Sequence, residues 1–495
     1  MSQTKAQLIA SDATFTISSD ATINSITVGK GTNSVAGNTV LGEAALDAAV
    51  SGSNNTAIGN IAMTSLTSGF SNTSVGSQSL QLNTSGDFNV AVGKDALRFF
   101  VADKNTAVGA DALQGQSGSS TGDKNVAVGH ASLSANTTGS ENVAIGNEAL
   151  EANTTADSNT AIGYLALTDN TTGNNNVAIG KDSLLNNSTG GNNVAVGHNA
   201  LDGNTTANNN VAVGKDSLLN NTTGTQNVAV GSFALDANTT ANDNTAVGYG
   251  ALTSNTTGVE LTAVGHNALN SNTTGQHNTA VGHNALLNNT TSQNNAAFGE
   301  QALEANTTGG NNTALGEAAL HGNTTASNNT AVGYFSLLSS TTGIDLTAVG
   351  ANSLLNNTTG NYNSAVGKDS LKANTTGQQN AALGVSSMIT NTTGDFNTAI
   401  GTNALYSNST GDENTAVGRA ALFNNTTNYN TAVGDLAMYS TTSGTNNVAV
   451  GNNALSANTT GQNNVSVGAN ALDANTTGEN NTAVGYNAAS SITTG

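Results

Sequence analysis

A five-residue motif, Asn-Thr/Val-Ala-Val/Ile-Gly, returns every seventeen positions through most of this chain, and that period constrains the fold before any single residue does. From Asn142-Val143-Ala144-Ile145-Gly146 it recurs at Asn159, Asn176, Asn193, Asn210, Asn227 and Asn244, and it is still in step at Asn397 and Asn414. About 27 copies fit between Asn38 and Gly495. Seventeen residues are too few for the helix pairs of other repeat families and suit one turn of a β-solenoid. The copy at 210–226 serves to name equivalent slots in all the others.

Asn210 to Val213 reads as a strand from its β-branched content. Gly214 and Gly224 supply corners where positive φ is easy, and Asn221 suits a left-handed corner. A turn-like segment around Leu218 and a Thr222-Thr223 side complete the coil. One copy buries too little apolar surface to offset the entropy of ordering its backbone, so neighbours must supply the rest. Stacked coils close each other's backbone bonds, and the Asn210 and Asn221 slots are predicted to form amide ladders along the stack. The absence of proline fits a chain in which nearly every backbone N–H is used. At ~4.8 Å per coil the repeats would make a rod roughly 130 Å long.

Alternation along the strand sends Val211 and Val213 to one side and Ala212 to the other, yet both sides are apolar in nearly every copy. A solenoid has one interior, so the second apolar side is expected to meet another chain, and a parallel homotrimer packed around this stripe is the preferred arrangement. A monomer that encloses both sides in a flattened, double-layered coil is the alternative.

Composition narrows the function. With no cysteine there is no disulfide scaffold, thiol catalysis or Cys-based zinc site. Thirty-one acidic against 11 basic residues give a net charge of −20, which removes the electrostatic footprint of nucleic-acid binding. The segment from Met1 to Ala10 has no apolar h-region, so no signal peptide is expected, and no stretch approaches the length of a membrane span, so membrane insertion is not expected either. Catalysis would need clustered acids or bases in a cleft walled by irregular loops, and the uniform short turns provide none, so no enzymatic activity, catalytic residue, cofactor or metal site is expected. Four histidines, His130, His198, His266 and His283, follow the strand-ending glycine in a slot that elsewhere takes Lys, Tyr, Glu, Ser or Asn. His266 and His283 fall on adjacent coils, a two-histidine arrangement with no recurring carboxylate partner. Calcium-binding Gly-Asp nonapeptides and phosphate-binding loops are absent, and the Asn-Thr-Thr triplets read as corners rather than glycosylation acceptors. Two threonine files at coil spacing suggest ice binding as a different class of function, although Thr222 and Thr223 do not form a Thr-x-Thr strand.

The repeat breaks in a few places. Residues 1–37 lie outside it and read as two alternating strands, at 12–18 and 21–29, forming a cap or attachment segment; 38–495 is the repeat domain. Between Asn89 and Asn105 the Asn-Thr-Thr-Gly side becomes Arg98-Phe99-Phe100-Val101-Ala102-Asp103-Lys104, read as a plug in the solenoid, with a binding patch as the alternative. Three extra residues within 114–122 make a surface loop, and one residue is lost around Asn425-Thr426-Thr427-Asn428. Leu261 and Leu346 replace the first asparagine and should cost one ladder rung each. The segment 489–495 completes a coil with nothing to cap it, which suggests either continuation in a longer protein or completion by another subunit.

The Asn-Thr-Ala-Val-Gly-x-x-Ala-Leu-x-x-Asn-Thr-Thr-Gly repeat resembles the head repeats of trimeric autotransporter adhesins and, more closely, the long tail fibres of bacteriophages. The resemblance spans about 38–495. It implies a left-handed parallel β-roll in homotrimers, acting as a rigid spacer or adhesive surface. The sequence departs from the adhesin pattern in showing no signal peptide over 1–30 and no stalk or membrane barrel after Gly495, while Ser2-Gln3-Thr4-Lys5-Ala6-Gln7-Leu8-Ile9 is similar to the opening of marine phage structural proteins. The expectation is therefore an all-β, parallel β-solenoid, homotrimeric fibre of a virion or of the extracellular space. Residues 1–37 would attach it to the virion or dock head to tail on the next molecule, and a cell-surface receptor or glycan would be its target.

Overall fold

The chain is described here from a computed structural model covering residues 20–118 and 120–494. It divides into two compact units, Met1–Asn210 and Val211–Gly495, and each is a parallel β-solenoid. Among the described residues there is no helix.

In the first unit, β1 (Ala21–Ile23) and β2 (Ile26–Gly29) form an antiparallel hairpin, and β2 pairs antiparallel with β3 (Thr39–Gly42). The single strand expected over 21–29 is thus two strands, because Asn24 and Ser25 take φ of 52° and 69° in a two-residue hairpin turn. The strand expected over 12–18 lies outside the described residues. From β3 onward the pairing is parallel: ten three- or four-residue strands, ending at β12 (Val194–Val196), stack in register. The hairpin covers the open edge of the first parallel strand, a standard way to keep an edge from pairing elsewhere. In the second unit, seventeen strands from β13 (Val211–Val213) to β29 (Thr482–Val484) stack in the same manner, with Val211 opposite Val228 and Ala212 opposite Ala229.

Each coil makes ladder bonds on every side, not only along the strand. In the second unit Leu218 N–H donates to Ala234 O, Asn220 N–H to Asp236 O and Thr222 N–H to Thr239 O, while Gly231 N–H donates back to Val213 O. A proline in any of these slots would remove a coil-to-coil bond.

Two of the three expected corners fall elsewhere. Gly214 has φ of 136°, as its glycine suggests, but neither Asn221 nor Gly224 has positive φ. The left-handed residues are Asp216 (φ 54°), Leu218 (φ 50°) and Gln226 (φ 61°), repeated in nearly every coil of both units. Two left-handed residues separated by one turn the chain tightly between strand and Asn221. The glycine at the 224 slot answers crowding instead: a Cβ on Gly139 would sit 2.3 Å from the Ala156 carbonyl oxygen. Ala156, Ala207, Ala241 and Ala326 occupy the same slot, so the stack gives way to a methyl there.

The interior of each coil is narrow. It holds the Ala212 slot, the Ala/Ser217 slot, the Leu218 slot and the two asparagines, all fully buried in most copies. Both predicted amide ladders are present. At the first, Asn159 N–H donates to Asn142 Oδ1 at 2.9 Å, and Asn142 Nδ2 donates to Ala156 O of its own coil at 2.9 Å. At the second, Asn238 Nδ2 donates to Asn221 Oδ1 at 2.8 Å, and Asn221 Nδ2 donates to Gly224 O at 2.9 Å. Buried amides are thereby satisfied on both sides.

The irregular coils are absorbed locally. Phe100 occupies the second-asparagine slot, 1% exposed, and is the largest fully buried side chain, so the plug is real but is made by one ring. Phe99 stays half-buried beneath the Arg98 guanidinium, 4.9 Å from its ring centroid. Leu261 and Leu346 are 1% exposed; each keeps the backbone bond, to Asn244 Oδ1 and Asn329 Oδ1, and loses the side-chain donor together with the Oδ1 that would accept from the N–H of the next coil's asparagine. In the coil from Asn414, Thr427 O takes over the role of the missing Gly-slot carbonyl and accepts from Asn414 Nδ2 at 2.7 Å.

Candidate functional site

The strand's three residues divide between inside and outside. Ala212 and its equivalents point inward and are almost all fully buried, whereas the Val211 and Val213 slots lie on the outer face and remain part-exposed. Both faces are therefore apolar, but only one is enclosed by the chain itself; a coil with both faces inside is not what forms. In the first unit the outer file runs through Leu41, Val108, Ile145 and Ile179, 37–44% exposed. In the second it runs through Val230, Phe298, Leu315, Val366, Leu383, Ile400 and Val450, 36–48% exposed, and every one of its seventeen strands ends in Val, Ile, Leu or Phe. A row of that length exceeds the apolar patches of a few hundred Å² that soluble monomers normally show.

The threonine side behaves differently. Thr222 Oγ1 donates to Thr239 O at 3.0 Å, and the same coil-to-coil bond recurs from Thr137, Thr154 and Thr459. The first threonine file is committed to holding the stack, and only the second is exposed.

His130, His198, His266 and His283 sit at the exposed turn after the strand. His266 and His283 are brought together, ring centroids 5.3 Å apart, in a row with Tyr249 that is 5.3 Å from His266. His283 faces Glu300 at 3.5 Å, and His130 faces Asp111 at 3.9 Å. Among the described residues no three His, Asp or Glu side chains are grouped to hold a metal ion, and no helix is long and apolar enough to cross a membrane.

Carboxylates in neighbouring files influence one another. Burial, then the Asp216 carboxylate, pushes Asp236 above its usual range; burial and Asp182 do the same to Asp202 in the first unit. Asp369 moves down: burial works to raise it, but bonds from Asn352 Nδ2 at 3.0 Å and Lys372 Nζ at 3.1 Å outweigh that.

One aromatic file is not apparent from the period alone. Tyr406, Phe423 and Tyr439 occupy the Leu219 slot in three consecutive coils, and no other coil has Phe, Tyr or Trp there. They stack face to face, centroids 4.8 and 5.1 Å apart, at 8° and 18° between planes. The signal was available as aromatics at spacings of seventeen and sixteen, but the denser cluster at 98–104 masked it. An open groove of about 630 Å³ runs beside the stack.

No protein-family model matches this chain, and no curated protein matches it. The fold is that of a β-solenoid repeat protein.

Proposed function

We propose that the protein is a structural fibre subunit, a rigid spacer and multivalent attachment surface, whose outer strand face is buried against copies of itself in a parallel homotrimer. The observation that carries this reading is the apolar file of Val213-slot residues in each unit, part-exposed on the outer face of strands whose inward file, the alanines, is already enclosed. Exposed side chains in line at a coil spacing of ~4.8 Å form a flat self-complementary strip, and a parallel neighbour repeats it in register. The number three comes from the resemblance to trimeric head repeats; the need for a partner comes from the strip. A fibre of this kind works in a virion or outside the cell, with residues 1–37 as its attachment or head-to-tail docking segment and a receptor or glycan as its target. Weak contacts repeated along its sides add through effective concentration. Commitment of the Thr222-slot hydroxyls to the stack weighs against an ice-binding lattice.

Mass per unit length of the purified protein, measured by dark-field scanning transmission electron microscopy, tests the reading. Three chains in each cross-section are expected. Single chains would overturn the lateral assembly, and continuous filaments of one chain in cross-section would replace it with head-to-tail growth.

A further inference from the structure

We propose that the groove beside the Tyr406–Phe423–Tyr439 stack is a binding site for a neutral saccharide, with the outer ring of the stack as its platform. The proposal rests on the fibre reading, in which the chain presents attachment surfaces, and it gives one of them a place and a ligand class.

The stack itself explains only its middle member. Phe423 has a ring on each side and contributes to holding adjacent coils together. Tyr439 is different. One face lies on Phe423, 5.1 Å away, while the next residue of the same file is Ser456, too short to cover the other face. Tyr439 is 36% exposed and lines the groove, as do Phe423, Ser456, Arg419, Asn403 and Asn453. A groove that sets this ring among amides before and after it along the stack, with a guanidinium on the preceding coil, matches a pyranose, whose C–H face is apolar and whose hydroxyls radiate from the rim. The apolar face stacks on the tyrosine, and the Asn and Arg groups donate to or accept from the hydroxyls.

Charge selects a neutral ligand over an anionic one. Arg419 is the groove's cation, and its guanidinium is paired with Asp435 at 2.9 Å. It is one of only two arginines in a chain of net charge −20, so a sulfated or carboxylated polymer meets repulsion with no compensating basic patch. The five N–H groups of a guanidinium outnumber what one carboxylate takes, which leaves donors for hydroxyls.

The test titrates the full-length protein with four neutral hexasaccharides (cello-, chito-, malto- and mannohexaose), read by ligand-observed saturation-transfer NMR. At least one should bind, and Tyr439→Ser, which copies the residue of the next coil, should weaken that binding at least tenfold. Ser456→Phe, which would extend the stack by one ring over the open face, should do the same without removing any group. Tyr164→Ser, at an exposed tyrosine of the first unit, should leave it unchanged. Binding by none of the four, or binding undiminished in both groove variants, overturns the site. Mass per unit length on the same samples separates the two readings: three-chain fibres that bind no saccharide sink the groove alone, and single chains that bind sink the assembly alone.

Discussion

Asparagine holds two slots of the coil because its amide is donor and acceptor at once, and each rung needs both. Where the second function is lost, the defect is visible. Ser340 stands in the second-asparagine slot; its hydroxyl and the Asn323 Oδ1 below it are buried without partners. Ser340→Asn would give Asn323 Oδ1 its donor, and filling a buried unsatisfied acceptor stabilises by about 1–2 kcal/mol. Slower amide hydrogen exchange in the coils flanking Ser340 is the expected outcome; unchanged exchange would show that the rung is dispensable. The converse change is Asn312→Ala, which removes the donor to Ala326 O at 2.9 Å and the acceptor of Asn329 N–H at 3.0 Å. Two orphaned groups should cost about 2–4 kcal/mol, read as a lower urea midpoint, and Asn312→Leu should cost less because leucine packs in that slot at 261 and 346. These ladders were legible in the sequence because no other residue type does this in a dry slot. The left-handed positions were half legible. Asp and Asn at the 216 slot, as in Asp182, Asn267 and Asn403, carry the preference for positive φ. Leu218 carries no such mark, because the core demands leucine there and its backbone conformation is imposed by the stack.

At the scale of the coil, the strand and the Gly214 corner stand where the sequence puts them, while the corners expected at Asn221 and Gly224 fall elsewhere, and the glycine of the second relieves crowding instead of supplying conformational freedom. Irregular coils show how much one turn tolerates. Phe100 fills a slot made for an amide and is opposed by Ser120 and Gly115, where a Cβ would come within 2.9 Å of the ring. Space was therefore cleared in the next coil for this one ring, and Phe100→Ala should leave a cavity costing about 3–5 kcal/mol. Protease cleavage confined to the adjacent 114–122 loop would report it; cleavage no faster than wild type would mean that the coil collapses onto the gap. The carboxylate files give a pH test with opposite signs in one unit. Asp236, raised in the folded state, destabilises its coil wherever it is charged, so protection there should rise as pH falls from neutrality through its folded pKa, and level off below the ordinary carboxylate value. Asp369, lowered by Asn352 and Lys372, contributes stability that is present above its unfolded pKa and lost as pH falls through its folded one. Hydrogen exchange corrected for intrinsic pH dependence, compared at the two coils, should therefore diverge on acidification; parallel changes would remove the assignment.

For the whole molecule, the proposed assembly sets the apolar strip of each unit, which favours side-by-side copies, against a net charge of −20 that opposes them. Leu315→Asp with Leu383→Asp places charge on two of the most exposed members of the strip, both 48% exposed, and should shift mass per unit length from three chains toward one. Retention of three chains would place the contact on another face. The architecture was readable at this scale because period alone decides it. The aromatic groove was not, since three rings signify a surface only once the coil shows that they share a file and that Ser456 ends it.

Every rung of both asparagine ladders points the same way, from the later coil's N–H to the earlier coil's Oδ1, in the first unit as in the second. Hydrogen-bonded groups polarise one another in a dry interior, so within each unit the two ladders share one direction, opposite to the threonine bonds, which run from the earlier coil's hydroxyl to the later coil's carbonyl. The direction of a coil within its stack is thereby written twice in its interior, in ladders whose donors and acceptors meet only one way round.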